Sequence, residues 1–67
     1  MKDRFTFFGN LDVGDLFMEP GKGLCVKVEL QEKEHQGKGF KYKVNYRMVD
    51  DETREGFLDN FNPVEIA

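Results

Sequence analysis

The chain has one cysteine, one histidine and no apolar run long enough to cross a membrane. Each scarcity closes a class of explanation. A single cysteine cannot form an internal disulfide, and without a Cys/His cluster there is nothing to hold zinc. The lone Cys25 fits a reduced, cytoplasmic setting. No stretch approaches the ~20 apolar residues of a membrane helix, so a span is excluded. The opening Met-Lys-Asp-Arg-Phe has no apolar run of signal-peptide length. Helical periodicity never holds for more than about one turn. Repeats, linkers and low-complexity tracts are missing too, so residues 1–67 are expected to form a single domain.

A chain this short buries only ~60% of the surface it exposes when unfolded. With neither disulfide nor metal, the core must supply the stability, and seven Phe and two Tyr are the material for it. The net charge of −3 is unevenly spread. Residues 1–20 carry −2, residues 21–49 carry +4 and residues 50–67 carry −5, which sum to −3. The whole domain therefore lacks the global positive field that drives non-specific phosphate binding, although its middle is locally basic.

What the chain does contain is strand alternation separated by turn chemistry. Phe5-Thr6-Phe7-Phe8 is a short apolar run that Gly9-Asn10 ends, a first strand or docked arm. Leu11 to Asp15 reads as a turn, Leu16 to Glu19 as a strand, and Glu19-Pro20-Gly21-Lys22 as a type II turn. Leu24, Val26, Val28 and Leu30 then occupy one face of a strand, with Cys25, Lys27 and Glu29 on the other. Gln31 to Gly39 is polar and reads as a loop. Residues 40–48 alternate Phe40, Tyr42, Val44, Tyr46 and Met48 against Lys41, Lys43, Asn45 and Arg47. Asp50 to Thr53 is a turn, Arg54 to Leu58 a returning strand, Asp59 to Phe61 a 3₁₀ turn, and Pro63 to Ile66 a closing strand. Five to six short antiparallel strands with such turns predict an all-β, small SH3-like (Tudor-type) barrel. Val26, Val28, Val44 and Tyr46 are its expected core.

The run Val13-Gly14-Asp15, Pro20, Gly23, Val26, Val28 and Glu29 resembles the opening of a Tudor-like barrel family. That family is the RNA-polymerase-interacting domain of CarD-type regulators and of the transcription-repair coupling factor; the Tudor-like tail of UvrD-type helicases is similar. Lys43-Val44-Asn45-Tyr46, an acidic turn, Phe57-Leu58-Asp59 and Pro63-Val64 extend the resemblance over most of the chain. It departs at Glu19, Lys22 and Cys25, where the family has an aromatic, a histidine and a glycine, and the helical DNA-binding part is absent. The segment Leu11 to Phe17 also resembles the opening of short phage-encoded barrel proteins. The resemblance implies a stand-alone barrel acting on a host protein such as RNA polymerase.

No residue set reads as a catalytic centre, and no enzyme or cofactor is expected. Cys25 with His35 can be drawn as part of a nucleophilic triad, but one lies mid-strand and the other in a loop. Asp50-Asp51-Glu52 lacks the interleaved spacing of a calcium loop and reads as a solvated hairpin tip. Gly21-Lys22-Gly23 has no following helix and is a turn, not a phosphate loop. Phe17, Tyr42, Tyr46, Phe57 and Phe61 could line a cage for a methylated side chain, but a domain this small spends its aromatics on its core. One directional feature remains. Lys27, Lys41, Lys43 and Arg47 fall on the outward faces of the two best strands and form a basic strip if those strands pair. A solvated sheet face, partly neutralised by Glu29, is the plain account of that strip. The functional account is docking of a sheet face or exposed edge on a protein partner, and the alternative is a nucleic-acid-binding barrel.

Overall fold

The computed structural model describes residues 4–37 and 39–67, so readings that fall on Met1–Asp3 and Lys38 lie outside the described residues. Six strands follow in chain order: β1 (Phe5–Phe7), β2 (Leu16–Glu19), β3 (Gly23–Glu34), β4 (Lys41–Met48), β5 (Glu55–Gly56) and β6 (Pro63–Ile66). They form one open antiparallel sheet in the order β1-β6-β2-β3-β4-β5, the all-β fold the alternation predicts. No helix among the described residues is long and apolar enough to cross a membrane.

Turn chemistry sets the register. Gly21 has φ +81° and the Lys22 N–H donates to Glu19 O at 2.9 Å, the type II geometry that Pro20-Gly21 favours. That turn brings Phe17 opposite Cys25, and both are fully buried. Phe8 packs on Phe17 with ring centroids 5.5 Å apart, and Phe17 on Tyr46 at 5.9 Å. Cys25, Met48 and Val64 complete the cluster, with Leu11 and Leu58 against it. The sheet therefore curls, barrel-like, around one core. Gly56 lies where it does for want of a side chain: a Cβ there would stand 2.9 Å from Tyr46 Oη.

Four expectations need correction. The face of β3 that turns inward at its start carries Cys25 and Lys27, not Leu24 and Val26. Leu24 and Leu30 are exposed and Val26 and Val28 only half-buried, whereas Val44 and Tyr46 are core as expected. The cause is that β2 and β3 are apolar on both sides, so alternation marks two faces without marking the covered one. Second, β3 runs to Glu34, so Gln31 to Glu34, expected to be loop, are strand. Third, the strand expected over Arg54 to Leu58 pairs only at Glu55 and Gly56. Beyond them the Asn45 side chain replaces the ladder, its Nδ2 donating to Leu58 O and its Oδ1 accepting from Leu58 N, both at 2.9 Å. Fourth, the 3₁₀ turn is at Phe8–Asn10, and Asp59 to Asn62 is a turn closed by a 2.9 Å bond from Asn62 N–H to Asp59 O.

The molecule measures 49 × 23 × 19 Å, with a radius of gyration of 12.7 Å. A compact chain of this length would have a radius of about 11 Å. The excess is the distal β3–β4 hairpin, an arm whose described residues from Glu29 to Lys43 are all exposed except Lys33. Lys33 Nζ ties that arm to β5 through an ion pair with Glu55 Oε2 at 2.9 Å.

Candidate functional site

Pairing of β3 with β4 brings three of the four strip cations onto one strand face, and the same register opposes them. Lys41 stands across from Glu34, Lys43 from Glu32, and Arg47 between Val26 on β3 and Glu55 on β5. The strip is thus a ladder of mixed sign, in which no stretch presents cations alone.

Lys27 does not belong to it. It pairs with Tyr46 on the inward side, and its Nζ donates to Leu11 O at 2.6 Å and to Phe8 O at 3.2 Å. The ammonium also sits 4.6 Å from the Phe8 ring centroid. The expectation of an outward Lys27 is corrected for the same reason as the β3 face: the partner of Cys25 is the buried Phe17, and Lys27 shares its side. Two backbone carbonyls and an aromatic face make that inward position tolerable for a cation.

The remaining chemical candidates lie apart from one another. Cys25 is fully buried, its Sγ 3.6 Å from Met48 Sδ, while His35 lies at the arm tip with its ring 5.2 Å from that of Phe40. Burial, and secondarily the charge of Glu19, pushes the Cys25 thiol above its ordinary value of 9.0. A thiol reagent should therefore label the native protein no faster than the protein unfolds, which mass spectrometry against urea concentration reads directly. Because the folded value is raised, this group's contribution to stability is complete below pH 9.0 and is lost as pH climbs through the folded value.

At the acidic tip, Asp51 Oδ1 accepts from Thr53 Oγ1 at 2.6 Å and from Thr53 N at 3.1 Å, bonds that hold its carboxyl below the ordinary range. Its carboxylate is occupied by its own turn. Among the described residues no group of three or more His, Cys, Asp or Glu is placed to hold a metal ion. The five cage aromatics do not converge either. Phe17 and Tyr46 are core, Tyr42 is on the arm, and Phe61 packs edge-on to Phe7 at 6.2 Å. Lys22 Nζ donates to Tyr46 Oη at 3.1 Å, which raises the lysine's pKa and occupies the one polar atom of that ring.

What the geometry does assemble is an apolar outer face. Since Phe17 and Cys25 point inward, the pairs Leu16 with Val26 and Met18 with Leu24 point outward together. Val49 adjoins them, its N–H donating to Leu24 O at 3.1 Å. Leu16 is 46% exposed, Leu24 37% and Val49 42%. Arg47 borders this patch beside Val26, and Glu65 borders it on the far side, beside Met18. Past Glu65 the face continues to Phe5 and Phe7 of β1. The sequence signal was the unbroken triplets Leu16-Phe17-Met18 and Leu24-Cys25-Val26, which mark strands with two apolar faces.

No protein-family model matches this chain, nor does any curated protein or solved structure. Geometry and chemistry carry the functional reading.

Proposed function

We propose that this protein is a non-enzymatic protein-interaction module that docks through the outer face of β2 and β3. The supporting observation is the patch of Leu16, Leu24 and Val49, all exposed, joined by the half-buried Met18 and Val26 on the same face of β2 and β3. Contiguous apolar surface on a small domain marks an interaction site. Its rim, with Arg47 on one side and Glu65 on the other, suits the mixed-sign border of a folded protein partner. The occupant is a cytoplasmic host protein presenting an apolar patch, with RNA polymerase the partner that the sequence resemblance favours and a phage-type modulator the role.

Nucleic acid is the weaker reading, because Glu32 and Glu34 face the cations that would have to neutralise phosphates. Affinity capture from bacterial lysate with the parent and a Leu24→Glu variant separates the two. The parent should retain a protein, with RNA polymerase subunits the first expected, that the variant loses while remaining folded by circular dichroism. Identical capture by both, or retention of nucleic acid that falls steeply with salt, overturns the proposal.

A further inference from the structure

Beyond Leu16, where β2 begins, β3 keeps β4 on one side and has no described strand on the other. Its last pair with β2 is Leu16 with Val26; the following turn takes over, Lys27 N–H donating to Asp15 O at 3.0 Å and Gly14 N–H to Lys27 O at 2.8 Å. From Val28 to Glu34, no described strand lies along that side of β3. A bulge opens the same region: Lys27 pairs with Tyr46 and Gln31 with Val44, so Val28, Glu29 and Leu30 face Asn45 alone. A groove of about 270 Å³ results at the root of the arm. Its walls are Val13 from the turn, Val28 and Leu30 from β3, and Phe57 from the chain after β5. Three of these are strongly exposed, Val13 at 58%, Leu30 at 61% and Phe57 at 48%.

The polar groups of the groove divide into two kinds. Those on its floor are occupied: Lys27 by the Phe8 and Leu11 carbonyls, the Asn45 amide by Leu58. The others are the carboxylates of Glu29 and Asp59, of which Asp59 Oδ1 accepts from the N–H of Asn60, also in the lining, at 2.9 Å. The lining carries two carboxylates against the single ammonium of Lys27. The exposed apolar lining suits one large side chain, and an open strand edge suits an extended main chain.

We propose that this groove binds an extended peptide segment, seating one apolar side chain between Val13, Leu30 and Phe57 with lysine or arginine on either side of it. The segment's main chain runs along the edge of β3 past Lys27, and its basic neighbours meet Glu29 and Asp59. This deepens the reading of the protein as an interaction module, yet uses a different surface from the outer face of β2 and β3.

Titration of ¹⁵N-labelled protein with an acetylated Lys-Val-Leu-Val-Lys peptide, and with the same peptide carrying Glu for Lys, tests the site. The basic peptide should shift the amides of Val13, Val28 to Leu30 and Phe57, and the acidic one should bind about tenfold more weakly, because like charges meet. Leu30→Ser should weaken the basic peptide about fivefold without unfolding the protein, since exposed substitutions rarely disturb stability. Leu24→Glu should leave peptide binding unchanged, which separates this site from the outer face. Equal affinity for both peptides, insensitivity to Leu30→Ser, or no shift up to about 1 mM peptide overturns the groove. Shifts confined to Leu16–Met18 and Leu24–Val26 also overturn it while leaving the docking face standing.

Discussion

Replacing Phe17 by alanine should leave little folded protein at room temperature. The side chain is fully buried and is the ring on which both Phe8 and Tyr46 pack, at 5.5 and 5.9 Å. Truncating a buried phenylalanine costs about 3–5 kcal/mol in lost transfer energy and cavity formation. A chain of this length commands only about 3–10 kcal/mol of net stability. No disulfide is present to limit the loss, since Cys25 is the sole cysteine. Urea denaturation followed by far-ultraviolet circular dichroism should show the transition displaced towards zero denaturant. A midpoint equal to the parent's would mean the three rings are not the centre of the core.

Charge reversal should discriminate sharply between two lysines that read alike in the sequence. In Lys27→Glu, a carboxylate replaces the ammonium that donates to Leu11 O and Phe8 O and faces the Phe8 ring. Two charge-assisted bonds vanish and two carbonyls lose a donor, a loss on the order of 3 kcal/mol. Lys43→Glu, by contrast, places like charges opposite each other at Glu32 on an exposed strand pair, which costs less than about 1 kcal/mol. Thermal melts of the two variants side by side measure the difference. Equal melting temperatures would return Lys27 to the solvated strip.

The two readings of Lys27 show why strand alternation has limited reach. In β4 the apolar side was easy to read, since Tyr46 and Met48 are bulky and apolar while Arg47 and Lys43 are charged, but the burial of Asn45 on the charged side was not. In β3 the candidates for the inward side were Leu24 and Val26 against Cys25 and Lys27, and hydrophobicity favours the wrong pair. The choice is made by the neighbour, since the type II turn places Cys25, not Leu24, across from Phe17. The basic strip dissolved for a related reason. Whether Lys41 and Lys43 meet carboxylates depends on a register set by the bulge between Lys27 and Gln31, which composition does not encode.

Local chemistry in the chain was sufficient for the all-β class, the reversal at Pro20-Gly21 and the inward Val44 and Tyr46. Those features arise from residues near one another, or from a face with only one apolar option. Tertiary structure alone decided which side of β2 and β3 became the outer face, where Lys27 went and where the groove opened. Each depends on contacts from elsewhere in the chain: Phe8 and Tyr46 pack on Phe17, and the β2–β3 hairpin carries that choice of side to Cys25 and Lys27. A strand with two apolar faces buries whichever one its partner's largest side chain occupies, and here that side chain is Phe17.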